Sequence, residues 1–268
     1  MRVDLAVGRP ILPKEHGGWA MLLTPPVVAL GAAGANLWGL LAALGWVVAY
    51  CMRGPVETLL GTAPTGKAGL QHAAPAVARF WLLLFGGAAL LLLTPVLISR
   101  PTVAIWLAGA LAVLGILMLF VRAGQTRSIA AGVIASAGLM AGGPLYYEAS
   151  YGTAGREGWT LALACLAFFA GSVFRVKTLA RERRSASFRW VSVGLHLLAT
   201  VAAALAAAAG MASWLVVLAL ALPLGWALYG AVRAGAAVSL AVIGKGEQWL
   251  TIAFGLLLIV ALRSPSLT

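Results

Sequence analysis

The chain has few charged residues and very few acidic ones. Only 10% of its 268 residues are charged, seven are Asp or Glu, and the single aspartate is Asp4. Soluble globular proteins carry about a quarter charged residues, so this composition excludes that class. With 62% hydrophobic residues and a mean hydropathy of +0.98, the sequence predicts an all-α integral membrane protein.

Residues that bind metals or act as nucleophiles are also scarce. Cys51 and Cys165 lie far apart in apolar surroundings, and we expect them to act as small hydrophobic residues. No Cys/His pattern has metal spacing, and no Ser/His/Asp set is evident. His196 lies inside an apolar segment, and we interpret it as a hydrogen-bonded core histidine. We therefore predict no resident metal or cofactor, and we keep magnesium as the alternative.

Long apolar segments predict nine transmembrane helices, at about 20 residues per crossing. They leave little chain outside the membrane, so we expect 1–268 to form a single transmembrane helical domain. The predicted spans are 17–35, 37–52, 80–98, 102–121, 128–147, 158–176, 189–209, 212–232 and 247–262.

Basic residues divide unevenly between the two sides that these spans define. With the N-terminus in the cytoplasm, all Lys and Arg residues except Arg100, Arg156 and Arg263 fall on the cytoplasmic side. Cytoplasmic loops of membrane proteins are enriched in Lys and Arg. We therefore predict a cytoplasmic N-terminus and an external C-terminus. The excess of basic residues that gives the net charge of +12 is thus explained by membrane topology. We therefore expect no nucleic-acid partner.

Three ionisable residues, Lys14, Glu15 and His16, stand at the entrance of the first span, before two glycines and Trp19. One interpretation is an interfacial anchor, with Trp19 at headgroup level. The other is that Glu15 and His16 line a polar cavity, because ionisable groups at membrane depth usually face a bundle interior. Both interpretations stay open.

Prolines predict breaks in two spans. Pro25 and Pro26 lie about halfway along the first span and lack amide hydrogens, so we expect a broken helix there. The sequence Gly142-Gly143-Pro144 predicts that the fifth span ends or kinks at this point.

Two predicted cytoplasmic loops combine acidic and basic residues. In the loop after the second span, Arg53 and Glu57 are four residues apart and can pair if the segment is helical. This pair could belong to a functional site, or it could be only a structural ion pair at the membrane edge. The later cytoplasmic loops that carry acidic residues hold Glu182 and Glu247. A cytoplasmic-side site could therefore combine these carboxylates with arginines.

The loop after the sixth span holds the strongest basic cluster. Residues 174–184 contain no Gly or Pro, so we expect the sixth helix to continue through them. On that helix Lys177, Arg181 and Arg184 would share one face, and Arg175, Thr178 and Glu182 would form a neighbouring stripe. Such a stripe could bind phosphate or lie against anionic headgroups as a topology anchor. The segment Gly244–Trp249 is predicted as a loop too short to bind phosphate by itself.

Two resemblances follow from these residues. The opening Pro13-Lys14-Glu15-His16-Gly17-Gly18-Trp19 and the basic segment 176–183 resemble the YwiC-like family of bacterial membrane proteins, which implies a multi-pass protein of the bacterial inner membrane. Nine spans with long loops after the second and sixth are similar to the UbiA prenyltransferase superfamily. In that superfamily aspartate-rich motifs in these loops bind magnesium and a prenyl diphosphate, whereas this chain offers only Glu57 and Glu182 there.

We therefore predict a UbiA-like bundle with a cytoplasmic-side polar cavity for an anionic or diphosphate-bearing lipid. His16, Glu15 and Glu57 are the predicted catalytic residues. A small-anion or proton-coupled transporter and a non-catalytic membrane assembly factor are the alternatives. The predicted substrate-binding residues are Lys14, Arg53, Arg175, Lys177, Arg181, Glu182 and Arg184.

Overall fold

A computed structural model describes residues 9–13, 16–61, 75–125, 128–182, 184–232 and 239–264. Within these ranges the protein is helical and contains no strand. The helices are α1 (His16–Ala33), α2 (Leu37–Cys51), α3 (Arg53–Leu59), α4 (Pro75–Ser99), α5 (Val103–Arg122), α6 (Ile129–Leu139), α7 (Gly142–Tyr151), α8 (Gly155–Ala180), α9 (Ala186–Ala208), α10 (Trp214–Val232) and α11 (Leu240–Arg263).

Eight of the described helical spans are long and apolar enough to cross a membrane, and Gly17–Ala33 is a shorter apolar helix. In that count α2 with α3 and α6 with α7 each form one span, Leu37–Leu59 and Ile129–Tyr151. Together they give the nine predicted helices in the predicted order. The all-α, multi-pass fold class is thus confirmed, whereas the side of the membrane that each terminus occupies stays a prediction.

Polar side chains at several helix starts explain where those helices begin. The side chains of Asn36, Ser128, Ser185 and Ser239 accept backbone N–H groups from the first turns of α2, α6, α9 and α11. Such caps satisfy donors that have no partner inside the helix. The cap at Ser239 places the start of α11 well before the predicted residue 247, so the segment predicted as the loop Gly244–Trp249 is helical.

Successive spans run in opposite directions, and this gives the bundle two ends. At one end, side chains join segments that are distant in sequence: the Tyr146 hydroxyl donates to the Gly34 carbonyl at 2.7 Å, and Arg263 Nε donates to the Gly31 carbonyl at 2.7 Å. We call this the far end. The near end is the opposite one, where α1, α9 and α11 begin and where α3, α8 and α10 end.

The predicted break in the first span is wrong, because α1 continues through Pro25 and Pro26. Both prolines pack against glycines at the start of α7. A Cβ added to Gly143 would lie 3.3 Å from Cβ of Pro25, and one added to Gly142 would lie 3.4 Å from Cδ of Pro26. This close approach of two helices supports α1 where its own backbone lacks two hydrogen bonds.

The predicted interruption of the fifth span is confirmed. Helix α6 ends at Leu139 and α7 begins at Gly142, so the kink falls at the two residues before the Gly-Gly-Pro sequence. The main core lies beside this kink and continues into α8 and α11, where Phe168 and Phe254 stack with ring centroids 4.1 Å apart.

Candidate functional site

Four polar residues from three helices meet inside the bundle, and we call them the buried cluster: Ser172 and Arg175 of α8, His196 of α9 and Glu247 of α11. The guanidinium of Arg175 donates to both carboxylate oxygens of Glu247, from Nε at 3.1 Å and from Nη2 at 2.7 Å. Ser172 Oγ donates to Oε2 of the same carboxylate at 2.6 Å. Arg175 is only 1% exposed, so this is an ion pair in the interior of a membrane-type bundle.

The third partner of Arg175 is the ring of His196, which contacts Nη1 through Nε2. A guanidinium has donors but no acceptor, so Nε2 must carry no hydrogen. The other ring nitrogen, Nδ1, then bears the hydrogen and donates to the Ser192 carbonyl at 2.7 Å. His196 is therefore neutral here, and its interpretation as a hydrogen-bonded core histidine is confirmed.

Gly171, which has no side chain, allows the ring of His196 to reach Arg175. A Cβ added to Gly171 would lie 2.6 Å from Nε2 of His196, so only glycine leaves room for the ring at this point of α8. Below the guanidinium, the ring of Phe168 lies 5.3 Å from Cζ of Arg175, which adds a cation–π contact. The cluster is thus fixed by packing as well as by hydrogen bonds.

The second ion pair, Arg53 with Glu57, lies on α3 at the near end. Arg53 Nε donates to Glu57 Oε1 at 2.7 Å, with the two side chains 28% and 14% exposed. The predicted pairing across four helical residues is confirmed. Helix α3 packs mainly against α4 and α2, whereas α8 packs against α6, α7, α9, α10, α11 and α1. The two ion pairs therefore belong to different groups of helices.

The basic stripe predicted on one helical face is wrong in part, because α8 ends at Ala180. Lys177 lies in its last turn, and Arg181 follows as the C-terminal cap with a non-helical φ of −124°. Glu182 and Arg184 lie beyond the helix. Arg181 and Arg184 are exposed, and Lys177 and Glu182 are half-buried, so all four surround the near end of α8 without sharing one face.

The structure describes only part of the opening segment Pro13–Trp19. Lys14 and Glu15 lie outside the described residues, and of His16 only the backbone, as the first residue of α1, is described. The indole of Trp19 donates to the Pro13 carbonyl at 2.9 Å, and its ring meets Tyr50 edge-on with centroids 5.4 Å apart. Trp19 therefore holds the preceding chain against the bundle.

Of the predicted site residues, the structure joins Arg53 to Glu57, and it joins Arg175 to Glu247, a carboxylate already expected at the same end of the bundle. The sequence analysis did not connect His196 or Ser172 with Arg175. A signal for them existed, since both are polar residues inside apolar spans, where polar groups face the bundle interior. Their partners could not be identified without the relative rotation of the helices.

The fold and the buried cluster define a class: a multi-pass, membrane-type helical protein with ionisable groups inside its bundle. A model of the family described as YwiC-like protein matches residues 12–147, half of the chain, and the chain belongs to this family. The uncharacterized protein YwiC of Bacillus subtilis (strain 168) is 29% identical to it over 189 residues, which cover 70% of this chain and 74% of that relative. No solved structure matches the chain.

Proposed function

We propose that the protein binds the anionic headgroup of a membrane amphiphile at its near end, through Lys177, Arg181 and Arg184. One observation supports this proposal above all others. Within the described part of the chain, these three cations make no ion pair with any carboxylate. They stand at the last turn of α8 and just beyond it, where a membrane-spanning helix reaches the headgroup region.

The described carboxylates of the near end are too few to neutralise all three cations. Glu57 is bonded to Arg53 and Glu247 to Arg175, which leaves Glu182 as the described near-end carboxylate without an ion pair. The remaining positive charge favours an anionic ligand, and each basic residue near a headgroup surface contributes roughly 1 kcal/mol. Arginine also binds phosphate oxygens through two parallel N–H groups.

The ligand that we propose is a lipid with a phosphate or diphosphate group, such as a prenyl diphosphate. Together with the similarity to the UbiA superfamily, the roles of Glu15, His16 and Glu57 as catalytic residues remain part of this proposal. The described residues do not fit the magnesium sites of that superfamily, because no group of three or more His, Cys, Asp or Glu among them could hold a metal ion. The proposal therefore includes no metal-dependent step.

The test is the thermal stability of the purified protein in a mild detergent with geranylgeranyl diphosphate, with and without magnesium. A ligand at a hundred times its dissociation constant adds about 2.7 kcal/mol to the free energy of unfolding. We expect such a stabilisation without magnesium in the wild-type protein, and we expect Arg181→Ala to reduce it while changing the stability of the free protein little.

Two controls separate headgroup binding from other effects. Arg156→Ala removes an exposed cation at the far end and should leave the ligand-induced stabilisation unchanged. Geranylgeraniol has the same chain without the phosphates and should not stabilise the protein. Equal stabilisation by both ligands, or an unchanged response in Arg181→Ala, would contradict the proposal. Stabilisation that requires magnesium would instead favour prenyl-transfer chemistry.

A further inference from the structure

Unused hydrogen-bond donors surround the buried cluster. A guanidinium has five N–H donors, and three of those of Arg175 are used, by Glu247 and His196. Ser192 is 2% exposed, and its hydroxyl has no hydrogen-bond partner among the described residues. The same holds for the buried indole nitrogen of Trp226. Buried donors of this kind are normally satisfied, because leaving one unpaired costs about 1–3 kcal/mol.

These donors lie at the same depth on three neighbouring helices, and Glu247 lies at that depth on a fourth. At 1.5 Å per residue, Arg175 is about 8 Å from the end of α8 and Ser192 is about 9 Å from the start of α9. Trp226 is about 9 Å from the end of α10, and Glu247 is about 10 Å from the start of α11. All four of these helix termini belong to the near end, so the residues occupy one level of the bundle.

Contacts between the helices bring these residues close to the buried cluster. His196 contacts Arg175, and Ser192 precedes His196 by one helical turn, on the same face of α9. The ring of Trp226 packs on α11, where a Cβ added to Gly246 would lie 2.9 Å from its Cζ2 atom. Gly246 is the neighbour of Glu247, which binds Arg175.

The chemistry of the unused groups favours an anion. A guanidinium and an indole can only donate hydrogen bonds, and the serine hydroxyl is able to donate a third. Arg175 is paired with Glu247, so it can offer a ligand its two remaining N–H groups. The three groups that lack a partner are all able to donate, and a compact oxyanion accepts hydrogen bonds from several directions.

We propose that Arg175, Ser192 and Trp226 form an oxyanion-binding site between α8, α9, α10 and α11, about 10 Å inside the near end. Its ligand is a phosphate-like group, which either free phosphate or the headgroup of a lipid can provide. The site uses none of Lys177, Arg181 and Arg184. The headgroup proposal and this inference can therefore fail independently.

The experiment measures the thermal stability of the purified full-length protein against inorganic phosphate, with chloride at equal ionic strength as the reference. We expect phosphate to raise the melting temperature of the wild-type protein. Ser192→Ala removes a hydroxyl that has no partner in the described part of the chain, so the free protein should fold normally. The same variant should weaken phosphate binding by about tenfold or more, because a hydrogen bond to a charged group is lost.

Further variants make the result specific. Trp226→Phe should also weaken phosphate binding, whereas Ser136→Ala, a buried serine of α6 bonded to the Gly132 carbonyl, should leave it unchanged. Arg181→Ala should retain the phosphate response even if it abolishes the response to geranylgeranyl diphosphate. Competition between the two ligands identifies a lipid headgroup as the source of the anion, and a response to phosphate alone identifies the free ion.

Two results would overturn the inference. The first is the same melting temperature in phosphate and in chloride, which would mean that water satisfies these donors. The second is a phosphate response that persists undiminished in both Ser192→Ala and Trp226→Phe, because the anion would then bind elsewhere on the protein.

Discussion

The ion pair between Arg175 and Glu247 allows a sharp prediction, because its two members are buried to different degrees. The Arg175 side chain is 1% exposed and that of Glu247 is 14% exposed. Glu247→Leu leaves the guanidinium without its counter-ion and without two hydrogen bonds. Removing one partner of a buried pair destabilises a protein by about 3–5 kcal/mol, and we expect a loss of this size.

The reverse substitution should cost less. In Arg175→Met the Glu247 carboxylate keeps its bond from Ser172 and is close enough to the surface to be hydrated. We therefore expect a loss of about 1.5–3 kcal/mol, the contribution of hydrogen bonds to a charged group. The double variant Arg175→Met/Glu247→Leu removes both charges and should lie within about 1 kcal/mol of the wild-type protein, because apolar replacement of a buried pair is often neutral.

Unfolding in detergent, followed by the fluorescence of the ten tryptophans, measures these free energies. Leu256→Ala, which changes a side chain of α11 that is 60% exposed, serves as the control and should have a small effect. The reasoning fails if Glu247→Leu costs no more than this control. It also fails if the double variant is as unstable as Glu247→Leu, since no unpaired charge remains in it.

Two further predictions concern close contacts. Gly171→Ala should destabilise the protein by about 1–3 kcal/mol, since the added methyl group would overlap the ring of His196. Thermal unfolding should show that most of this loss disappears in a His196→Ala background. An equal loss in that background would exclude the ring as the cause. Trp19→Phe removes the hydrogen bond to the Pro13 carbonyl and should accelerate tryptic cleavage after Lys14, the residue that follows Pro13. An unchanged cleavage rate would contradict this prediction.

Most of the fold could be predicted from hydropathy alone, because each membrane crossing needs a long apolar segment. The prolines of α1 show the limit of local reasoning. Pro25 and Pro26 predict a break, since each removes a backbone hydrogen bond, yet α1 is continuous. Its continuity depends on contacts with Gly142 and Gly143, which lie more than a hundred residues away in the sequence.

The candidate site was only partly predictable for a related physical reason. Arg53 and Glu57 are four residues apart, and helical geometry alone brings them together. Arg175 and Glu247 are separated by 72 residues. Charge distribution placed both at the same end of the bundle, but their contact depends on how α8 and α11 are rotated about their axes. No periodicity within one helix contains that information.

The two ion pairs also differ in what the family assignment says about them. The match to the YwiC-like family covers residues 12–147, which include Arg53 and Glu57 but neither Arg175 nor Glu247. The first pair is half-buried and joins two residues of the same helix. The buried pair, together with His196, links three helices at one level and lies beside unused donors. The match to the family model therefore does not by itself describe the chemistry of α8–α11. Variants of the buried cluster and of Ser192 test that part of the chain directly.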